Sequence, residues 1–404
     1  MMWRRLLLLG GGGLLALALG TGLGRLRAPR PPAAPSPQQV MPPTPTPLPL
    51  LTQGQGDNRP RWKARWSRTL PSPLSLSLAP DGGVALLTAQ RQVQSLDART
   101  GVPLWSSPPL LLANRVAAVR GGRVLAGALY NPAVQKVWVL HPKTGQPSAF
   151  ALPGTLWSLM ATPDGSRAFV GTSANQIVAF SLLAAQPPPT TWNISALPET
   201  LALSTDGTAA LTGTWLPAGV RRLGGWAYGD SDPARWQDVQ VSADGATAVS
   251  LSGRLPRRSQ KDLQLTGYDM DSGMRLWEKR IPGKQARVAV AADGQRIALT
   301  YLFETQRGGE ARLLLLNRDG TPRGEEKGGR FLLPRLAALS AMGERVTVLD
   351  GDRALFVLDG DGKTRWRLAL PRAAPIQETL STTDGAFLLL VRTDGTLTLY
   401  EALP

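Results

Sequence analysis

Apolar and polar residues alternate in short stretches along most of the chain from residue 62 onward. The stretches 239–242 and 248–251 are two examples, and the dipeptide Asp244-Gly245 lies between them. Alternation at every second position predicts a half-buried β-strand, and an Asp-Gly pair predicts a tight hairpin turn. The chain is therefore predicted to be all-β and built from hairpins.

This hairpin recurs along the sequence at a regular spacing. Its turn pairs begin at Asp81, Gly121, Asp164, Asp206, Asp244, Asp293, Met342 and Asp384. The first and last are 303 residues apart over seven intervals, a period near 43 residues. That period is typical of a four-stranded antiparallel β-propeller blade. We label the strands of a blade A to D in chain order, with this turn between A and B.

A second repeated phrase predicts the turn between strands C and D. In Leu96–Trp105 and Tyr268–Trp277, Asp occupies the second place, Gly the sixth and Trp the tenth. A third copy ends at Trp366, and weaker copies begin at Leu140 and Leu316. Asp and Gly suit the turn, and Trp gives strand D a large apolar anchor. The predicted structural residues of the repeat are Trp66, Trp105, Trp277, Trp366, Asp97, Gly101, Asp269 and Gly273.

The two ends of the repeat region predict how the ring closes. After Asp384 the chain supplies strands B and C and then stops without a strand D. The region begins instead with a lone strand D, because residues 66–71 and 277–282 share the form Trp-x-x-x-Leu/Ile-Pro. The N-terminal strand should complete the last blade and cover its open edge. Eight A strands predict eight blades, and seven is the alternative because residues 200–236 are the least regular.

The repeated phrase resembles the pyrroloquinoline-quinone (PQQ) repeat of quinoprotein-like eight-bladed β-propellers. The resemblance covers residues 62–404, and the copies ending at Trp105 and Trp277 carry it best. That family includes calcium- and PQQ-dependent dehydrogenases. It also includes non-catalytic propellers of the cell envelope, such as the lipoprotein of the outer-membrane β-barrel assembly machinery. The resemblance implies a fold, and function has to be argued from a site.

The N-terminal 61 residues precede the propeller and have a different composition. Residues 1–27 combine Arg4 and Arg5 with an uncharged apolar run from Leu6 to Gly24, which predicts either a cleaved signal peptide or a retained membrane anchor. Residues 28–61 contain 11 Pro in 34 positions and predict a disordered, extended linker. Both readings predict export to the periplasmic or extracellular side of the envelope.

Composition narrows the chemistry available to the chain. The chain has no Cys, which excludes thiol catalysis and most zinc sites. Its single His cannot serve both a Ser-His-Asp triad and a His-based metal site. His141 occupies the place of Asp97 and Asp269 in the repeat, so it is interpreted as a turn residue. The stretches 350–352 and 359–362 resemble calcium loops, but Lys363 stands where a further oxygen ligand would fall. We therefore predict no catalytic residue, no metal and no cofactor.

A net charge of +16 makes basic loops the remaining candidate site. The connections between strands B and C are longest in blades four to six, and such connections emerge on one face of a propeller. They are predicted to form a basic wall that binds an acidic partner. Its candidate residues are Arg221, Arg222, Arg254, Arg257, Arg258, Lys261, Arg307 and Arg312, with Trp215 close by.

The sequence predicts an exported, membrane-tethered, non-catalytic propeller that acts as a scaffold. Its expected partners are an envelope protein or an anionic envelope polymer, and the propeller itself is expected to be monomeric. Export argues against nucleic acid as a partner. Two alternatives stay open: a PQQ- and calcium-dependent quinoprotein-like oxidoreductase, and a sensor that binds a ligand in the central channel.

Overall fold

The computed structural model describes the chain from residue 61 to residue 403 with short gaps. The described residues are 61–70, 73–183, 188–194, 196–215, 219–229, 235–254, 263–305, 308–326, 334–340, 342–351, 353–371 and 373–403. These ranges hold 32 β-strands. No helix in the described part of the chain is long and apolar enough to cross a bilayer. The predictions for residues 1–60, a signal or anchor followed by most of the linker, concern residues outside these ranges.

The strands follow one another in groups of four. Blade one contains β2 (Ser75–Leu78), β3 (Val84–Leu87), β4 (Val93–Leu96) and β5 (Pro103–Ser106). Blade two contains β6 (Arg115–Ala118), β7 (Val124–Gly127), β8 (Lys136–Leu140) and β9 (Pro147–Ala151). Blade three contains β10 (Leu156–Ala161), β11 (Arg167–Thr172), β12 (Gln176–Ser181) and β13 (Thr190–Asn193). Blade four contains β14 (Leu197–Leu203), β15 (Ala210–Trp215), β16 (Gly219–Arg222) and β17 (Ala227–Gly229).

The second half repeats this arrangement. Blade five contains β18 (Arg235–Val241), β19 (Thr247–Arg254), β20 (Leu263–Asp269) and β21 (Arg275–Ile281). Blade six contains β22 (Lys284–Val290), β23 (Arg296–Thr305), β24 (Gly308–Asn317) and β25 (Pro322–Glu326). Blade seven contains β26 (Pro334–Leu339), β27 (Arg345–Asp350), β28 (Ala354–Asp359) and β29 (Thr364–Ala369). Blade eight contains β30 (Ile376–Ser381), β31 (Phe387–Arg392), β32 (Thr396–Leu403) and β1 (Arg61–Thr69).

The described strands form eight antiparallel sheets of four. The A strands contact one another in order around a ring, β2 with β6, β6 with β10 and onward to β26 with β30, and β30 contacts β2. The chain is an eight-bladed β-propeller, as predicted, and the alternative of seven blades is wrong. The least regular stretch belongs to a complete blade, blade four, although its outer strand β17 has only three residues.

The closing strand is the one that the sequence predicts. β1 pairs antiparallel with β32 from Arg61 opposite Leu403 to Thr69 opposite Thr396, with an irregularity between Ala64 and Trp66. The indole of Trp62 is buried and donates a hydrogen bond to Oγ1 of Thr347 in blade seven, at 3.1 Å. The first strand of the described chain thus completes the last blade and is also fixed to the blade before it.

The Asp-Gly pairs form the A–B turns for a local chemical reason. In Asp244-Gly245, the carboxylate Oδ1 accepts a hydrogen bond from the backbone N–H of Ala246 at 3.0 Å. Gly245 has φ of 76°, a left-handed conformation that side-chain-bearing residues rarely adopt. A–B and C–D turns share one face of the ring, which we call the A–B face. B–C hairpins and the connections between blades share the opposite one, the B–C face.

The hydrophobic core lies between the blades. Within the described residues it divides into eight clusters, and each cluster joins two neighbouring blades. One of them packs Trp66, Leu389 and Leu399 of blade eight against Leu76 and Leu86 of blade one. Each blade buries both of its faces against neighbours, so the ring has no free sheet face. This explains why the short strands are so rich in Leu, Val and Ala.

The structure corrects the predicted long B–C connections of blades four and six. In blade six, β23 and β24 are ten residues each and pair from Arg296 opposite Asn317 to Thr305 opposite Gly308, so residues 304–312 are mostly strand. In blade four, β16 begins at Gly219. Gly219, Gly308 and Gly309 lie within these strands, so glycine in the two segments does not mark a loop.

Candidate binding surfaces

The repeat tryptophans join each blade to the next one. Nε1 of Trp105, in blade one, donates a hydrogen bond to the carbonyl oxygen of Pro142 in blade two, at 2.7 Å. A Cβ atom on Gly145 would lie 2.4 Å from the Trp105 ring. Gly145 also has φ of 67°, so both space and backbone conformation require glycine there. The C–D turn of one blade is therefore a platform for the Trp of the preceding blade.

The same contact recurs around the ring with small changes. Trp66 donates to the carbonyl of Ala98 at 3.2 Å, and Trp277 to that of Arg318 at 2.7 Å. Blade four supplies Trp226, a residue that the repeat analysis missed, and it rests on Gly273. Its sequence signal is weak because it stands two residues after Gly224 instead of four. Trp66 and Trp105 are buried, while Trp277 and Trp366 are half-buried. All four pack in the clusters between blades.

Trp366 differs from the others because blade eight has no C–D turn. Strand C of that blade is β32 and strand D is β1. These strands come from opposite ends of the repeat region, so no turn connects them. Trp366 packs against the cluster that contains Trp62, Ile376 and Tyr400. The Trp is retained although its platform is missing.

The repeat aspartates hold the C–D turns. Oδ1 of Asp97 accepts hydrogen bonds from the backbone N–H groups of Arg99 and Thr100 and from the Thr100 hydroxyl, at 2.8 to 3.0 Å. Burial opposes ionisation of Asp97, but these hydrogen bonds outweigh it and lower its pKa. The pKa of Asp269 is lowered by hydrogen bonds from the Ser272 backbone and hydroxyl, and also by Arg318. Both carboxylates are structural.

His141 and the calcium-like stretch 359–362 also form turns. Nδ1 of His141 lies 3.3 Å from the backbone N of Lys143 and from the Thr144 hydroxyl, which confirms its interpretation as a turn residue. Oδ1 of Asp359 accepts from the backbone N–H groups of Asp361 and Lys363 at 3.0 and 2.9 Å. Its other oxygen pairs with Arg365. In the described ranges no three acidic or His side chains gather where they would hold a metal ion.

The residues of the predicted basic wall that the structure describes do not lie together on one face. Arg222 belongs to the C–D end of β16, and its guanidinium donates to the carbonyls of Met270 and Asp271 in the next blade. It therefore lies on the A–B face, and its predicted place in the wall is wrong. Arg221 is half-buried opposite Thr212 within the sheet, so its predicted place in a loop is also wrong.

Arg312 is likewise a strand residue and not a loop residue. It lies on β24 opposite Tyr301, its guanidinium stacks 3.9 Å from the Phe303 ring centroid, and its Nη2 pairs with Glu310 at 3.1 Å. Burial opposes its charge, but hydrogen bonds with Glu310 and Tyr301 raise its pKa. Arg312 is already engaged inside its own blade.

For the other wall residues, a place in the basic wall stays a prediction. The backbones of Trp215 and Arg254 end β15 and β19, two neighbouring strands that point toward the B–C face. Arg257, Arg258, Lys261 and Arg307 lie outside the described residues.

The B–C face carries an exposed apolar surface on blades one and two. Leu111 is 70% exposed and Leu112 39% exposed in the connection between the blades, and Tyr130 is 56% exposed in the next B–C hairpin. The Tyr130 ring meets Trp157 of blade three edge-on, with centroids 5.1 Å apart. We call Leu111, Leu112, Tyr130 and Trp157 the apolar patch. The triple Leu run at 110–112 in a connection was its sequence signal.

Unusual backbone conformations hold two residues of the patch in place. Leu112 and Tyr130 have φ of 59° and 60°, which is costly for residues of this size. Asn114 fixes the region, since its Nδ2 donates to the carbonyl of Leu129 and its Oδ1 accepts from the Leu129 N–H, at 3.0 and 2.7 Å. Leu110 anchors the connection in the core. Exposed apolar patches mark candidate interaction sites, and backbone strain is often stored at functional sites.

The described residues form a propeller with two loop faces, and comparison with solved structures agrees on the fold. Over 84% of the chain it resembles the Dos1 propeller, at 11% identity and a TM-score of 0.62, covering 95% of that chain. Hydrazine synthase of Kuenenia stuttgartiensis matches 81% of the chain at 14% identity and a TM-score of 0.51, over 95% of its own length.

A third propeller gives the same picture. The β-propeller domain of Cps50 (Swd1) of Myceliophteria thermophila matches 85% of the chain at 10% identity and a TM-score of 0.51, over its full length. No protein-family model and no curated protein matches the sequence. At such low identity these likenesses show the fold alone. Membership of the quinoprotein-like family stays a prediction.

Proposed function

We propose that the chain is a non-catalytic scaffold of the cell envelope that binds another protein through the apolar patch on its B–C face. The N-terminal segment exports the chain and tethers it, and the Pro-rich linker spaces the propeller from the membrane. A propeller fold suits an interaction role because rigid blades present loops on a fixed frame.

The observation that carries the proposal is the conformation of the apolar patch. Leu112 and Tyr130 adopt strained backbone conformations and remain exposed, while Asn114 and the anchored Leu110 hold the segments that present them. A large aromatic residue at the centre of an exposed patch is the usual anchor of a protein interface. The exposed Arg115 nearby suits a partner with an acidic rim.

Crosslinking in the native envelope tests this proposal. A photoreactive amino acid replaces Tyr130 in the full chain, and another copy carries it at Met342, which is 58% exposed on the A–B face. We expect a discrete protein adduct from position 130 only. The purified partner should then bind Tyr130→Ala and Leu111→Ser about tenfold or more weakly than the wild-type chain, as expected for interface anchors. Met342→Ser is the matched control.

Three outcomes would contradict the proposal. Equal adducts from both positions would mean non-specific contact. Adducts that resist protease digestion would identify an envelope polymer instead of a protein. Protection of the propeller from protease in spheroplasts, where the cell surface is open, would contradict export.

A further inference from the structure

The A–B face carries an open groove of about 550 Å³ near the junction of blades five and six. Three arginines line it: Arg296 follows the A–B turn of blade six, Arg318 lies in its C–D turn, and Arg323 is the second residue of its outer strand. Asp319 is the one acidic residue among the described lining residues. The groove therefore presents several guanidinium N–H donors.

Arg318 is held in a single position by its neighbours. Its backbone N–H donates to the carbonyl of Gln295 at 3.0 Å, and its carbonyl accepts from the Trp277 indole at 2.7 Å. Its Nη2 pairs with Asp269 Oδ2 at 2.8 Å. A guanidinium has five N–H groups, so this ion pair leaves donors for a ligand.

The other two arginines are positioned in the same way. Nη1 of Arg296 pairs with Glu344 Oε1, and Nε of Arg323 pairs with Asp361 Oδ1, both at 2.9 Å. Glu344 and Asp361, like Asp269, lie outside the groove lining. Preorganised guanidiniums lose little conformational entropy when they bind a second carboxylate.

Position 318 also departs from the repeat. The equivalent turn residues of other blades are Ala98, Pro142, Met270 and Gly360. The docked Trp uses only the backbone carbonyl of this residue, so the blade-to-blade contact places no demand on the side chain. The repeat therefore does not explain why a long cationic side chain occupies position 318.

We propose that this groove binds an acidic peptide segment of a partner protein. Carboxylate side chains of the peptide pair with Arg318 and Arg323, which present forked donors that match carboxylates. The amide side chains of Gln295 and Asn317 also line the groove, although Nδ2 of Asn317 already donates to Oγ1 of Thr321 at 2.9 Å. Leu276, 39% exposed, contacts aliphatic stems. These last features suit a peptide better than a bare phosphate. The groove lies on the face opposite the apolar patch and shares no residue with it, so the two sites are tested independently.

Binding of a defined acidic peptide to the full chain tests the site. The probe is a fluorescein-labelled, N-acetylated hexaglutamate, measured by fluorescence anisotropy at several salt concentrations. We expect Arg318→Gln and Arg323→Gln each to weaken binding about tenfold, because each removes a charge-assisted pair. Arg99→Gln is the matched control, since Arg99 is an exposed residue of the C–D turn of blade one on the same face. It should leave the affinity within about twofold of wild type.

Arg323 makes the test robust to folding defects. It is more exposed than Arg318 and its ion pair with Asp361 is peripheral, so Arg323→Gln should fold even if Arg318→Gln does not. The proposal is overturned if the peptide does not bind, or if Arg99→Gln weakens binding as much as Arg323→Gln does. It is also overturned if pyrophosphate displaces the peptide at equal or lower concentration, because the groove would then be a small-anion site.

Discussion

The indole of Trp66 lies directly on Gly101, 35 residues further along the chain and in the neighbouring blade. A Cβ atom at position 101 would lie 2.6 Å from Cδ2 of that ring, closer than any real contact. Trp66 belongs to the strand that completes blade eight, and Gly101 lies in the C–D turn of blade one. The repeated phrase thus spans two blades: the Gly of one copy receives the Trp of the copy before it.

Gly101→Ala should destabilise the protein more than the same change at a turn glycine without a neighbour. Gly101 combines φ of 66° with the Trp66 contact, whereas Gly121 has φ of 77° and no atom within 4 Å of an added Cβ. We expect Gly121→Ala to cost about 1–2 kcal/mol from its backbone alone. Gly101→Ala should cost at least ~1–3 kcal/mol more because the indole must move. Urea midpoints measure the difference, and equal midpoints would show that the Trp is not docked.

Removing the closing strand should open the ring. Deletion of residues 1–70 takes away β1, Trp62 and Trp66, and it leaves the β32 edge unpaired. We expect aggregation or a much lower melting temperature, because an uncovered edge pairs with other chains. The matched control lacks residues 1–58 only. A monomeric and equally stable product of the longer deletion would contradict the closure.

Trp277 allows the ring contact and the hydrogen bond to be measured separately. Trp277→Ala loses the packing on Gly320 and the bond to Arg318, and we expect a cost of about 3 kcal/mol. Trp277→Phe keeps a ring and loses the N–H donor, so about 1 kcal/mol should be lost. Equilibrium unfolding of both variants gives the two values. If both cost the same, the hydrogen bond alone matters.

The contribution of Asp269 to stability should depend on pH in one direction. Its pKa in the folded protein is lowered below the ordinary value of 3.8 by hydrogen bonds from Ser272 and by Arg318. Its charge therefore stabilises the fold above pH ~3.8, and that stabilisation disappears as pH falls through the lower folded value. Asp269→Asn should melt lower than wild type at pH 7, and the difference should shrink toward pH 2. A difference that does not change with pH would mean that shape, not charge, is responsible.

The basic wall can be tested at its remaining members. Changing Arg254, Arg257, Arg258 and Lys261 to Ser should alter stability by less than ~0.5 kcal/mol each, as at most surface positions. If these residues bind an anionic polymer or acidic partner, affinity and its salt dependence should both fall. Arg353, an exposed residue of the B–C connection in blade seven, is the matched control. Equal losses of binding free energy per charge removed would attribute binding to net charge.

Two arginines on the same face are unsuitable as controls for that experiment. Nη1 of Arg91 donates to the carbonyl of Ala113, and Arg392 is buried with Nη1 on the carbonyl of Ala374, both at 2.5 Å. Substituting either would disturb the connections between blades. A loss of binding in such a variant would then reflect a disturbed fold and not the removed charge.

Local chemistry explains which parts of the fold the sequence could predict. The Asp244-Gly245 turn depends on residues next to one another, and the phrase that ends at Trp277 is recognisable from its internal spacing. The period of these two features sets the blade count. Arg222 and Arg312 were misplaced because their surroundings come from distant residues, Met270 in the next blade and Phe303 across the hairpin. The left-handed backbone at Tyr130 has no sequence signal, since Tyr rarely adopts it.

The pairing of Arg61 with Leu403 imposes an order of events on folding. The strand that is synthesised first cannot find its partner until the strand that is synthesised last is available. Until then, β1 lacks the strand beside which Trp62 and Trp66 are held, and seven blades must form before the ring is closed. Contacts this distant in sequence are slow to form, and a chain waiting for them exposes apolar surface. We expect ring closure to be the last and slowest step, and the one at which a chaperone has most to do.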